Sequence, residues 1–370
     1  MASADTGGQI VLIDEYDLDR NELIVRGQPL LGLIDSLTYP QLLFLGMTGH
    51  IPSDDALSML IREAIRQGAS LVAELTPSAM SNGDNCAAVS AICGSLLKIA
   101  EGHAVRHVQN PAKDHCDDDQ WYGFVLLQSI RSLIGRMNGG CGWEPDDVDT
   151  KDVGCNEYSR RSLTAFIPSR GQSHLEATFC PDRLMGSLIG GFGIAAPTTA
   201  LARFSASTRA PVEWCIVASA MGSGPAHLGA CSAAMYRLKE SGLGVKPGDD
   251  VLRDYCYTKP YPGFGHPIMN VDPRSEYLFD RYIHLPLVQK ACELSEMITQ
   301  TTSLSANVDF AAAAVLLAYG VPAELGSLFF WFCRLPIIIA HISAKRLEPP
   351  FGLRSSQARE KYRNLPKSWI

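Results

Sequence analysis

The chain has 370 residues, 46% hydrophobic and 19% charged, with a formal charge of −7 at pH 7. That length suffices for one large domain or two smaller ones, each with its own core. The acidic balance argues against a general affinity for nucleic acid or an anionic membrane surface, so an anionic ligand would need a local basic pocket.

The opening "MASADTGGQIVLID" lacks the basic start and apolar run of a signal peptide, so an intracellular, cytoplasmic protein is expected. The stretches "GQIVLIDEYD" and "NELIVRGQPL" are β-prone, and helical spacing takes over at Leu31. In "LTYPQLLFLGMTGHIPSDDALSMLIREAIRQG" one helix is predicted to end near Gly49 and the next to start at Ser53, with Asp54 and Asp55 complementing its dipole. Further helical runs are predicted over roughly 85–107, 120–137, 182–206, 211–239, 275–302 and 308–345. Between them, "NGGCGWEPDDVDTKDVGCNEYSRR" reads as a long acidic loop and "RLKESGLGVKPGDD" as a second break. The most apolar region, "FAAAAVLLAYGVPAELGSLFFWFCRLPIIIAHI", is interrupted by Gly320, Pro322, Glu324, Arg334 and Pro336, and reads as buried helices. The predicted fold is all-α, with a large helical domain from residues 1–228 and 319–370 and a small one from 229–318.

Eleven cysteines, an odd number without paired spacing, fit small core residues, among them Cys86, Cys93, Cys215, Cys231 and Cys333. His103 and His107 lie one helical turn apart, with His115, Cys116 and Asp117 to Asp119 nearby. No zinc-type spacing completes that set, which favours a solvated helix end and loop over a metal site. Cys141 and Cys155 flank the acidic loop and are assigned nothing.

Three segments place an ionisable residue in a tight-turn or small-residue setting. In "MGSGPAHLGACSAAM" the chain breaks at Gly222, Gly224 and Pro225 just before His227, and a helix start there favours a neutral imidazole; a purely structural histidine is the alternative. In "YPGFGHPIMNVDPRSEY" Gly263 and Gly265 permit backbone angles that side chains forbid, and Pro267 stiffens the chain immediately afterwards. His266 is therefore held, and Arg274 offers a fork for a carboxylate, although a turn with a surface histidine and a rim arginine reads equally well. In "SANVDFAAAAVLL" Asn307 and Asp309 open an almost wholly apolar helix. Asp309 is a helix cap by default, or a carboxylate with a raised pKa able to act as a base.

Together and in this order, the segments resemble the citrate synthase family. The matching residues are Gly224-Pro225-Ala226-His227, Pro262-Gly263-Phe264-Gly265-His266 with Asp272-Pro273-Arg274, Asn307-Val308-Asp309, and Arg334 in "FWFCRLP". The resemblance is specific over residues 196 to 345 and weaker at the N-terminus. It implies that Asp309 removes a proton from an acyl-CoA while His227 donates a hydrogen bond to the thioester oxygen. His266 would then bond to the carbonyl oxygen of a 2-oxo acid such as oxaloacetate, Arg274 and Arg334 would grip its carboxylates, and Pro262 to Gly265 would receive the adenine of coenzyme A. It implies further a coenzyme A thioester as substrate, no metal, and a homodimer.

The match also has gaps. Phe192 stands where synthases carry a further acid-binding histidine, and Ala195 where they often have asparagine. In "KRLEPPFGLR" Glu348 occupies the position of an arginine that reaches the partner's site, with Arg346 and Arg354 as possible substitutes. The run "GIAAPTTALARFSASTRAPVEW" is also similar to citryl-CoA lyases of the same superfamily, which cleave what synthases build. A lyase and a catalytically impaired binding subunit are the alternatives to a condensing acyltransferase.

Overall fold

The structure is a computed structural model and describes residues 12–73, 75, 85–101, 108–139, 155–168, 180–241, 261–350, 359–360 and 363–364. His103, His107, Cys141 and Arg354 lie outside the described residues.

The β-prone opening forms a small antiparallel sheet, β1 (Asp14–Asp17), β2 (Glu22–Val25) and β3 (Gln28–Pro29), with Asp14 opposite Val25 and Ile24 opposite Pro29. Helices α1 (Leu30–Ser36), α2 (Tyr39–Thr48) and α3 (Asp54–Val72) come after it. The expected boundaries hold: Gly49 ends α2 in the left-handed region at φ 81°, and the Ser53 side chain accepts from Ala56 N at the start of α3.

Helices α4 (Asn85–Glu101) and α5 (Asp118–Met137) come next. The latter begins two residues before the predicted start, because Asp117 caps it by accepting from Gln120 N at 2.8 Å. The acidic stretch predicted as one long loop differs at its end, where Cys155–Thr164 is a helix, α6. Its charged sequence hid a buried side: Tyr158 and Leu163 are fully covered, while Arg161 and Glu157 pair one turn apart on the outer side.

The run predicted over 182–206 is two helices, α7 (Asp182–Ile189) and α8 (Pro197–Ser207), separated by Gly190, Gly191 and a 3-10 turn at Gly193–Ala195. Helices α9 (Val212–Met221), α10 (Gly229–Ser241), α11 (Pro273–Tyr282) and α12 (Pro286–Thr302) then lead to α13 (Val308–Ala318) and α14 (Gly326–Leu347). The predicted 308–345 run is thus interrupted at Gly320, whose φ of 79° ends α13.

Helix α14 is the axis of the molecule. It is buried continuously from Gly326 to Ser343 and packs against α2, α5, α7, α8, α9 and α10. Ala323–Leu347 is apolar and long enough to cross a membrane by length and composition, but its most apolar 18-residue stretch is wholly buried within the protein. Pro336 lies inside it without ending it. An interior proline costs about 3 kcal/mol, which the packing of a helix enclosed on all sides outweighs. The cysteines expected in the core at positions 215, 231 and 333 are buried and free, and Cys93 is partly buried.

Candidate active site

The segment 261–269 is fixed to the start of α13 by backbone bonds. Gly265 N donates to Ser305 O at 2.8 Å, Asn307 N to Gly263 O at 2.8 Å, and the Asn307 side-chain amide to Gly265 O at 2.7 Å. Both glycines have positive φ, 82° and 75°, and a Cβ on Gly263 would lie 2.6 Å from Phe310 Cβ. Only glycine allows this approach. His266 is held as expected: its Nδ1 accepts from Ile268 N at 3.2 Å and Met269 N at 3.1 Å. Nδ1 is thereby the acceptor, which leaves Nε2 to carry the proton and donate. Burial and then the Arg274 charge push the His266 pKa down, consistent with a neutral ring.

Helix α13 settles the two readings of Asp309. The cap is Asn307, whose Oδ1 accepts from Asp309 N at 2.9 Å, so the Asp309 carboxylate is not engaged in capping. Its Oδ1 is sealed from solvent and without a hydrogen-bond partner. Burial raises the Asp309 pKa to about 7, against the opposing pull of Arg334 and Arg274. A carboxyl poised near neutrality in a cleft is suited to take up a proton.

His227 sits in the turn before α10, where His227 N donates to Gly224 O at 2.9 Å and Gly229 N to the same oxygen at 3.1 Å. Arg334 Nη1 lies 3.4 Å from His227 Nε2. A guanidinium can only donate, so Nε2 accepts and Nδ1 carries the proton. Burial, Arg334 and His266 lower the His227 pKa to about 4, so the ring is neutral at pH 7. Helices α10 and α13 pack against one another, and this brings the His227 turn to the Asp309 end of α13.

The two arginines differ in their freedom. Arg274, in the first turn of α11, is buried and gripped by Asp272, which accepts from Nε and Nη2 at 2.9 Å each. Its Nη1 lies 3.4 Å from Gly190 O. The side of the fork is occupied, and the Nη1–Nη2 end remains for a ligand. Asp272 also accepts from Arg274 N and from Val308 N at 3.0 Å, so one carboxylate joins α11 to the start of α13. Burial pushes the Asp272 pKa up, but Arg274 and these hydrogen bonds outweigh it and hold it below the usual value. Arg334 lies over the Phe330 ring, 4.7 Å from its centroid, and its buried Nε has no partner. Burial and Arg274 pull its pKa to about 10, so it remains charged at neutral pH.

These groups line one cleft of about 500 Å³, together with Phe192, Ala195, Ala196 and the loop Pro262–Gly265. His227, His266, Asp309, Arg274, Arg334, Phe192 and the loop Pro262–Gly265, singled out in the sequence, are thus brought together. Phe192 stacks on His266 with ring centroids 4.8 Å apart. Glu348 does not face the cleft: it pairs with Arg203 and Lys345, while Arg346 is engaged by Asp119 at 2.8 Å. His115 stacks on His50, and among the described residues no group of three His, Cys, Asp or Glu could hold a metal. Asp14 and His341, which sequence reasoning passed over, form a buried pair beside Gly191.

Residues 191–350 match the family model "Citrate synthase, C-terminal domain". The fold is that of the citrate synthase from the thermophilic archaeon Thermoplasma acidophilum, solved with carboxymethyl coenzyme A and oxaloacetate, at a TM-score of 0.69 and 16% identity over 95% of this chain and 93% of that one. Citrate synthase from Thermotoga maritima gives a TM-score of 0.63 at 18% identity over 93% of this chain and 91% of that one. For citrate synthase from Pyrobaculum aerophilum the values are 0.61, 16%, 93% and 86%. No curated protein matches the sequence. The chain therefore has the citrate synthase fold, and its residues 191–350 match the C-terminal domain of that family.

Proposed function

We propose that the protein is a citrate synthase-like acyltransferase that condenses an acyl-CoA with a 2-oxo acid and releases free coenzyme A by hydrolysis. The observation that carries this reading is the meeting, in one cleft, of a carboxyl with pKa about 7 and two histidines whose partners make them neutral donors.

Asp309 takes a proton from the α-carbon of the thioester as its electrons move toward the carbonyl oxygen, where His227 Nδ1–H donates. Stabilising that developing charge lowers the barrier to enolisation. The enol carbon then attacks the keto carbon of the acid, and His266 Nε2–H supplies the proton to the new alkoxide. Water finally cleaves the thioester. Arg334 and the free end of the Arg274 fork are suited to hold the acid's carboxylate groups. The loop Pro262–Gly265 is proposed to receive the coenzyme A adenine, and the helices of 229–318 to form the smaller unit that closes on the ligands. A coenzyme A substrate fits a cytoplasmic protein.

We also propose a homodimer. The exposed apolar side chains Leu201 and Phe204 on α8 and Trp214 and Met221 on α9 support it, because a surface of this kind is costly unless covered.

Mass spectrometry of products from a panel of acyl-CoAs and 2-oxo acids, with citryl-CoA as the reverse probe, tests the reading. Condensation products and free coenzyme A are expected. Cleavage of citryl-CoA without any condensation would replace it with a lyase.

A further inference from the structure

We propose that Asp14, held by His341, is a positioning residue that clamps the turn Gly191–Gly193 and so keeps Phe192 stacked on His266 at the acid-binding end of the cleft. The clamp rests on the proposed condensing function. Asp14 Oδ2 accepts from Gly191 N at 3.0 Å and Gly193 N at 3.2 Å, the two amides that bracket Phe192. Its Oδ1 lies 2.7 Å from His341 Nε2. Arg203 Nη1 faces His341 Nδ1 at 3.3 Å and Arg203 Nη2 donates to Glu348 at 2.7 Å. Opposite a guanidinium Nδ1 takes the acceptor role, which leaves Nε2–H to donate to Asp14.

The turn is shaped for this contact. Gly193 has φ +53°, and a Cβ there would lie 2.7 Å from Asp14 O, so strand and turn meet at backbone distance. Two residues along β1, Tyr16 meets Phe192 edge to face at 5.4 Å, so Phe192 packs against both Tyr16 and His266. The Tyr16 hydroxyl donates to Asn21, whose amide donates to Val271 O, next to the Asp272 that holds Arg274. His341 lies seven residues beyond Arg334 on α14, two helical turns, and so projects from the same side.

A core strand has no need of a buried carboxylate, and Asp14 and His341 are only 6% and 4% exposed. Burying such a pair is unfavourable unless every partner is in place, and here those partners fix a turn whose middle residue lines the cleft. Without the clamp Phe192 is free to leave His266, and the acid end widens. The thioester end, at Asp309 and His227, is untouched.

The test compares Asp14→Ala, Asp14→Asn, His341→Leu and His341→Gln. With Asp14→Ala and His341→Leu the KM for the 2-oxo acid should rise about tenfold or more, the scale of losing the bonds that fix one group. Exchange of acetyl-CoA methyl protons with deuterated solvent should stay within about twofold of the parent, because enolisation does not use this end. His341→Gln keeps a donor and should restore the parent KM, while the near-isosteric Asp14→Asn should fall between. NMR of histidine-labelled protein supplies a readout independent of turnover: stacking on Phe192 shifts the His266 ring protons upfield, with Phe192→Ala assigning the signal, and Asp14→Ala should abolish that shift. An Asp14→Ala protein that keeps the upfield signal and the parent KM overturns the clamp, as does equal loss of exchange and of acid binding. If the parent protein condenses no acid, the functional reading fails while the NMR comparison still decides the clamp.

Discussion

Asp272 closes on the Arg274 guanidinium with two 2.9 Å bonds, and the pair lies almost wholly out of solvent, with side chains 0% and 1% exposed. The same carboxylate accepts from Val308 N at the start of α13. One side chain therefore orients a cation that lines the cleft and the helix that presents Asp309.

Removing it should be costly. Asp272→Ala leaves a buried guanidinium and a helix amide without partners, and the loss of stability should be about 3–5 kcal/mol, measured by urea unfolding. The sign with pH is set by the lowered pKa of Asp272. Its contribution is present above the unfolded carboxyl pKa and is lost as pH falls through the still lower folded value, so the variant and parent curves should converge only in strong acid. A variant within about 0.5 kcal/mol of the parent at pH 7 would show that Asp272 is dispensable.

Asp309 behaves in the opposite sense. With its pKa raised to about 7, the free protein binds a proton there that the unfolded chain has already lost above pH 4. Methyl-proton exchange of acetyl-CoA should rise through pH 7 to a plateau as the base ionises, and Asp309→Asn and His227→Ala should each abolish it with the fold intact. The raised pKa, with the pull of Arg334 and Arg274 already in it, means that folding stability declines from about pH 4 to 7, so Asp309→Asn should stabilise the protein at pH 8 by up to about 4 kcal/mol. Unchanged exchange in Asp309→Asn would remove it as the base.

How far this site could be read in the sequence depends on what enforces each part. The pairing of Gly263 and Gly265 with His266 was legible because positive φ demands glycine, and that demand is local. Asp309 was ambiguous because an acidic residue opening a helix has two uses, and only the Asn307 bond to Asp309 N removes one of them. The Asp14–His341 pair left no local trace: 327 residues separate the partners, and a lone histidine in an apolar helix looks like any other. Fold class was readable from helical spacing, whereas α6 was hidden by its charged outer side and the break at Gly190–Ala195 by apolar flanks.

The assembly makes a prediction of its own. Phe204 and Met221 are 71% and 77% exposed, and Trp214 is 53% exposed. Light scattering at micromolar concentration should give twice the mass of one chain, and the double variant Phe204→Glu, Trp214→Glu should give a monomer with its helix content retained. A parent protein that runs as a monomer would refute the dimer.

The choice of acid is the sharpest expectation. Arg274 and Arg334 are the cations among the described residues that line the cleft, since Arg203 and Lys345 hold Glu348 and Arg346 holds Asp119. Near them the wall is Phe192, Ala195 and Ala196, which offer no side-chain donor. A carboxylate that ends beside such a wall loses hydration without gaining a partner, at a cost of several kcal/mol, whereas an extra methylene there changes binding by only about 1–3 kcal/mol. Against oxaloacetate, a 2-oxo acid carrying an apolar group in place of the second carboxylate should therefore show a kcat/KM higher by about tenfold or more. Phe192→His keeps a ring to stack on His266 and adds one donor, worth about 1–1.5 kcal/mol, so it should move the ratio about tenfold toward oxaloacetate. If the parent protein clearly prefers oxaloacetate, a cation from elsewhere, Arg354 or a partner's arginine, completes the acid site, and Phe192 does not set its selectivity.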